Sequence, residues 1–106
     1  MRLSNIQQKF GAIYGELQLA CQNQAEAAYI ALEISKLNGC SYCIEMHSNE
    51  LEKFSEAEIE SLNPVKAAAI IQGVVRCELI AQPYYDVALV EYAILVNSFN
   101  RVGKLA

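Results

Sequence analysis

The chain has 106 residues, 54% of them hydrophobic, and a formal net charge of −4. That length holds one domain with a single core, so residues 1–106 are read as one unit. An acidic balance (pI about 4.9) with no offsetting basic cluster argues against a nucleic-acid or anionic-membrane surface. The first residues lead into a mixed amphipathic segment, not an apolar signal core, and the longest apolar windows carry Arg76 and Glu78, or Glu91. The expectation is a cytoplasmic protein without a membrane span. Its apolar content is rich for a small monomer, which points to helix surface covered by further copies.

Residues 4 to about 21 place Ile6, Phe10, Ile13, Leu17 and Cys21 near a helical repeat, with Ser4 or Asn5 as cap. Gly11 and Gly15 are spaced to let another helix approach closely. A second helix resumes over Ala25 to Leu37 and closes at Asn38-Gly39, a pair suited to a left-handed C-terminal turn. The third runs from about Ser41 to Lys53, with Ile44 and Leu51 as core anchors. Ser55-Glu56-Ala57-Glu58 has the form of a capping box for a short helix ending near Leu62.

Asn63-Pro64 starts the next helix, since proline at the first helical position sacrifices no hydrogen bond. Ala67, Ala68, Ile70, Ile71, Val74, Val75, Leu79 and Ile80 make it apolar on much of its circumference and therefore central, until Pro83 stops it. A last helix over Tyr84 to about Arg101 carries Val87, Val90, Ile94, Val96 and Asn97. Gly103 then ends regular structure, with Lys104 to Ala106 as a frayed tail. Asn97 and Asn100 satisfy backbone groups across an interface or mark the solvated face. No stretch alternates with period two for long enough to prefer a strand. The predicted fold is all-α, with short connections.

The chemistry concentrates between Glu33 and His47. Cys40-Ser41-Tyr42-Cys43 follows the turn directly, and Cys40, Cys43 and His47 stand at i, i+3 and i+7, on one face if Cys40 opens the helix. The thiolate is the nucleophile of thiol chemistry, and both the unpaired N–H groups of a helix start and a nearby imidazole stabilise it. A thiolate attacks a peroxide oxygen or an electrophilic sulfur, and a second thiol three positions away closes the product as a disulfide. His47 is placed to take or give the proton. Glu33, on the preceding helix, either points back to orient His47 or pairs with Lys36. Tyr42 stays at the mouth of the site or packs in a subunit contact.

A metal site competes: Cys40, Cys43 and His47 as three ligands, with Glu33 or Glu50 as a fourth, although structural zinc commonly draws a second pair from a remote segment. Cys21 and Cys77 lie in apolar helical patterns and read as small buried side chains. No Gly-rich strand-to-helix fingerprint marks a flavin or nicotinamide site, so no cofactor is expected and the reductant must come from outside.

Ile34-Ser35-Lys36-Leu37-Asn38-Gly39-Cys40-Ser41-Tyr42-Cys43-Ile44-Glu45-Met46-His47, followed by the Ser55-x-x-Glu58 helix start, resembles the carboxymuconolactone decarboxylase superfamily, specifically its AhpD-like alkylhydroperoxidase branch. The general helical order is similar over roughly residues 20 to 101; residues 34 to 47 are diagnostic. The resemblance implies an AhpD-like helical domain assembled as a homotrimer or homohexamer. It implies a thiol peroxidase cycle in which Cys43 attacks hydroperoxide, Cys40 resolves, His47 relays protons, and an external dithiol or protein reductant restores the pair. In that pattern a glutamate twelve positions before the first motif cysteine completes the relay; here Ala28 holds that place, with Glu26 and Glu33 as the nearest acidic residues. Outside the enzyme reading stands a non-enzymatic oligomeric protein whose cysteine pair senses oxidants or holds a partner.

Overall fold

A computed structural model describes residues 3–78 and 86–105, with side chains described outside residues 3–7, 10 and 105. Six helices make up these residues: α1 (Leu3–Ala20), α2 (Gln24–Asn38), α3 (Ser41–Leu51), α4 (Glu56–Glu60), α5 (Pro64–Arg76) and α6 (Val87–Leu105). There is no strand among the described residues, so the all-α expectation holds. No described helix is long and apolar enough to cross a membrane. The expected anchors Ile6 and Phe10 fall outside the described side chains, and Leu79, Ile80, Pro83 and Tyr84 outside the described residues.

Local chemistry sets most boundaries as read. Asn23 caps α2 by accepting from the Glu26 N–H, and Gly39 closes it at φ 68°. Ser55 caps α4 by accepting the Glu58 N–H, the N-cap half of the expected box, while its hydroxyl donates to the Glu58 carboxylate. Asn63 accepts from the N–H groups of Val65 and Lys66, with Pro64 in the first turn of α5.

The packing differs from the periodicity in three ways. First, the central helix is α2, which packs against each of the other five, whereas α5 meets only α2 and α6 and leaves Val65, Ala68 and Ala69 outside. Alanine explains this: Ala25, Ala27, Ala28 and Ala31 are all buried, and their short side chains let neighbours close in on several sides. Ile30, Ile34 and Ile70 are fully buried in the same core, each contributing about 2–3 kcal/mol of apolar transfer.

Second, the buried stripe of α1 is rotated by one residue: Tyr14, not Ile13, faces the core with Leu17 and Cys21, while Ile13 is half exposed. Among the described residues nothing comes within 4 Å of a Cβ placed on Gly11 or Gly15. On α6 the buried positions are Leu89, Tyr92, Ala93, Val96, Asn97 and Asn100, an i, i+3, i+4, i+7, i+8, i+11 series, and Val87 and Ile94 stay exposed.

Third, two ends move. α5 stops at Arg76, and Cys77 takes the left-handed conformation (φ 58°), so its thiol is exposed instead of buried. α6 continues through Gly103 to Leu105, past the expected stop at Arg101. Its seat explains the extension. The Asn38 amide donates to the side-chain oxygens of Asn97 (2.8 Å) and Asn100 (3.0 Å), and Asn100 donates to Ser35 Oγ (3.0 Å). The Asn97 and Asn100 amides are buried, not on the solvated face, and they fasten the end of α6 to the end of α2.

Candidate active site at the start of helix α3

The α2–α3 junction is built to deliver two sulfurs to a helix start. Gly39 reverses the chain, its N–H and that of Cys40 bonding back to the carbonyls of Lys36 and Ser35 (3.2 Å each). Cys40 then sits as N-cap of α3 in extended conformation, and its sulfur accepts the Cys43 N–H (3.4 Å). Cys40 and Cys43 are joined as a disulfide, with Cα atoms 5.3 Å apart. Cys43 and His47, one turn apart, are the buried residues of α3; Ile44 and Leu51, expected as anchors, are only half-buried. Both sulfurs lie beneath α6, where a Cβ placed on Gly103 would stand 3.1 Å from Cys40 Sγ and 3.7 Å from Cys43 Sγ. The absence of a side chain at residue 103 is what lets α6 cross so near.

His47 is fully buried and held by oxygen atoms from two helices. Its Nδ1 lies 3.2 Å from Glu50 Oε2 and 3.0 Å from the Tyr14 hydroxyl, which is also 3.4 Å from Nε2. The Tyr92 hydroxyl donates to the Tyr14 oxygen at 2.6 Å, and Gln18 donates to Glu50 Oε2 at 3.4 Å. Residues of α1, α3 and α6 thus meet in one chain of polar groups. Burial pushes both phenols far above the ordinary tyrosine range. For Tyr14 the Tyr92 hydrogen bond opposes that rise and the charge of Glu50 adds to it. Both therefore remain hydroxyls at neutral pH. No buried side-chain nitrogen or oxygen among the described residues lacks a partner.

The acidic residues expected near His47 are engaged elsewhere. Glu33 pairs with Lys36 (3.3 Å) on the outer face of α2, and Glu26 pairs with Lys66 of α5 (3.3 Å). Ala28 is buried in the core. Tyr42 is exposed. Cys21 is a small buried side chain, as read, its thiol donating to the Leu17 carbonyl (3.2 Å). Burial, followed by the charges of Asp86 and Glu26, pushes that thiol up to about 11.

Sequence reasoning overlooked Glu50 as the partner of His47, although the i,i+3 spacing on one helix was available. It overlooked Tyr14 through the one-residue rotation of α1. No cluster of three or more His, Cys, Asp or Glu side chains among the described residues is placed to hold a metal ion. The chain matches no family model, no curated protein and no solved structure.

Proposed function

We propose that this chain is a thiol-dependent peroxidase that reduces hydroperoxides through the Cys40–Cys43 pair, with His47 in proton transfer. The observation that carries the reading is the disulfide at the start of α3 with a buried, hydrogen-bonded imidazole one turn further along the same helix. In the dithiol state, His47 takes the Cys43 thiol proton. The thiolate attacks the terminal peroxide oxygen, the O–O bond breaks, and the departing alkoxide takes the proton from the imidazolium. Cys43 is left as a sulfenic acid; Cys40 displaces its hydroxyl, which leaves as water with the Cys40 proton. Two thiols and one hydroperoxide give one disulfide, one alcohol and one water. An external dithiol, itself oxidised to a disulfide, returns two electrons and two protons by exchange through a mixed disulfide.

Repeated turnover is the test. Stopped-flow mixing with several hydroperoxides and a regenerating dithiol should show many cycles per chain. One oxidation followed by silence favours the second reading, an oxidant-sensing protein, for which the burial of both sulfurs beneath α6 speaks.

The division of labour is separately testable, because the sulfur of Cys40 receives the helix-start N–H while Cys43 is one turn from His47. Cys40→Ser should still yield a trappable sulfenic acid on Cys43 after brief peroxide exposure, and Cys43→Ser should lose the fast event. Mass spectrometry finding the label on Cys40 at the wild-type rate in the Cys43→Ser protein, with none on Cys43 in its counterpart, reverses the roles.

A further inference from the structure

We infer that Glu50 is the positioning residue that sets the proton on His47, holding it at Nδ1 and leaving Nε2 as the nitrogen that exchanges protons in the thiol reaction. The assignment of a reaction to His47 rests on the reading above; the assignment of its tautomer rests on geometry alone. A neutral imidazole carries one proton, and the group facing each nitrogen decides where it resides. Glu50 Oε2 faces Nδ1 at 3.2 Å, and an ionised carboxylate is purely an acceptor, so the stable arrangement places N–H on that side.

The Tyr14 hydroxyl lies along the same edge of the ring, nearer Nδ1 than Nε2. Because its oxygen already accepts from Tyr92, its own proton goes to whichever ring nitrogen carries none, which is Nε2 at 3.4 Å when Glu50 holds the N–H at Nδ1. Tyr92 fixes it in place through the 2.6 Å bond to its oxygen. Tyr14 is therefore a brace for the ring and Glu50 the group that chooses.

Two further observations support Glu50 in this role. It is the carboxylate hydrogen-bonded to His47, since Glu26 and Glu33 are bound to lysines and Ala28 has no acid to offer. Its side chain is about one-fifth exposed while the imidazole is sealed, so its charge keeps contact with water at the rim of a closed site. When Nε2 takes the Cys43 proton, the resulting imidazolium has its counter-charge already in place at Nδ1. The acid stands three residues after the histidine on the same helix, where the resembled pattern has one twelve residues before the first cysteine.

The chain contains a single histidine, so ring ¹⁵N resonances belong to His47 without assignment. In the oxidised wild-type protein, the neutral ring should show N–H at Nδ1. Glu50→Met, similar in length but without a strong acceptor, should move the population toward Nε2–H. Glu50→Gln, which keeps an oxygen and loses the charge, should fall between them, and Tyr14→Phe should leave the proton on Nδ1. Oxidation of the dithiol form by one equivalent of peroxide should be about 10-fold slower in Glu50→Met, in line with one charge-assisted hydrogen bond. A wild-type ring protonated at Nε2, or a tautomer that ignores Glu50→Met and follows Tyr14→Phe, overturns the assignment. A tautomer that follows Glu50 in a protein inert to peroxide upholds it and removes the peroxidase reading instead.

Discussion

Cys77 ends α5 in the left-handed region, a conformation that costs a residue with a Cβ roughly 1–2 kcal/mol and glycine almost nothing. Its side chain is exposed, so replacement removes no core contact. Cys77→Gly should raise the free energy of unfolding by about 1 kcal/mol in a urea titration. An unchanged midpoint would mean that the thiol makes up for the backbone. The cysteine pair and the histidine were legible at this scale because their spacing lies within one helix. Glu50 was equally within reach by spacing. Glu33 was not separable from it by sequence, since a glutamate beside a lysine on one helix reads as a solvated pair or as a site residue until the turn at Gly39 fixes the angle between α2 and α3.

The C-terminal half of α6 was misread for a physical reason. Glycine is a poor helix former, and Gly103 near the polar end of an amphipathic segment has the form of a stop. Tertiary contacts override that preference, because Asn97 and Asn100 are fastened to Asn38 and Ser35, on the far side of the sequence from them. No local pattern reveals which buried amide meets which. Asn100→Ala should remove the bond to Ser35 and one of the two acceptors of the Asn38 amide, lowering stability by about 1–3 kcal/mol in denaturant unfolding. It should also speed amide hydrogen exchange selectively in the last turns of α6. Uniform acceleration over all helices would deny the amides a local fastening role.

For the whole molecule, the helical class and order were legible because apolar residues recur at helical spacing and the caps are explicit. The identity of the central helix was not, because alanine counts little in periodicity yet determines how closely helices pack. Stability should fall on the alkaline side. Tyr14, Tyr92 and Cys21 all have raised folded-state values, so the protonated forms are favoured by folding. Their contribution is complete below the unfolded values of 9.0 for the thiol and 10.0 for the phenols and declines as pH rises beyond them. The melting temperature should therefore drop above about pH 9, with tyrosinate absorbance from Tyr14 and Tyr92 appearing together with loss of helix. Tyrosinate signals from both in a fully helical protein would contradict this. Ile13, Leu19, Leu37, Val65, Val87 and Ile94 remain exposed on a chain of this size. These exposed residues permit any small assembly and the resemblance supplies the copy number: light scattering after size separation should give the mass of a trimer or hexamer, and a strictly monomeric mass across dilution rejects assembly.

The seam between Gly103 and the two sulfurs separates chemistry from supply. Sulfurs that a bulky reagent cannot touch in the closed molecule react on the schedule of the helix end that covers them. Raising the reagent concentration then accelerates reduction only until it equals the opening rate, after which the protein sets the pace. Asn100→Ala, which loosens that helix end, should raise the plateau rate of disulfide reduction at saturating dithiol, and an unchanged plateau would detach the rate from the amides.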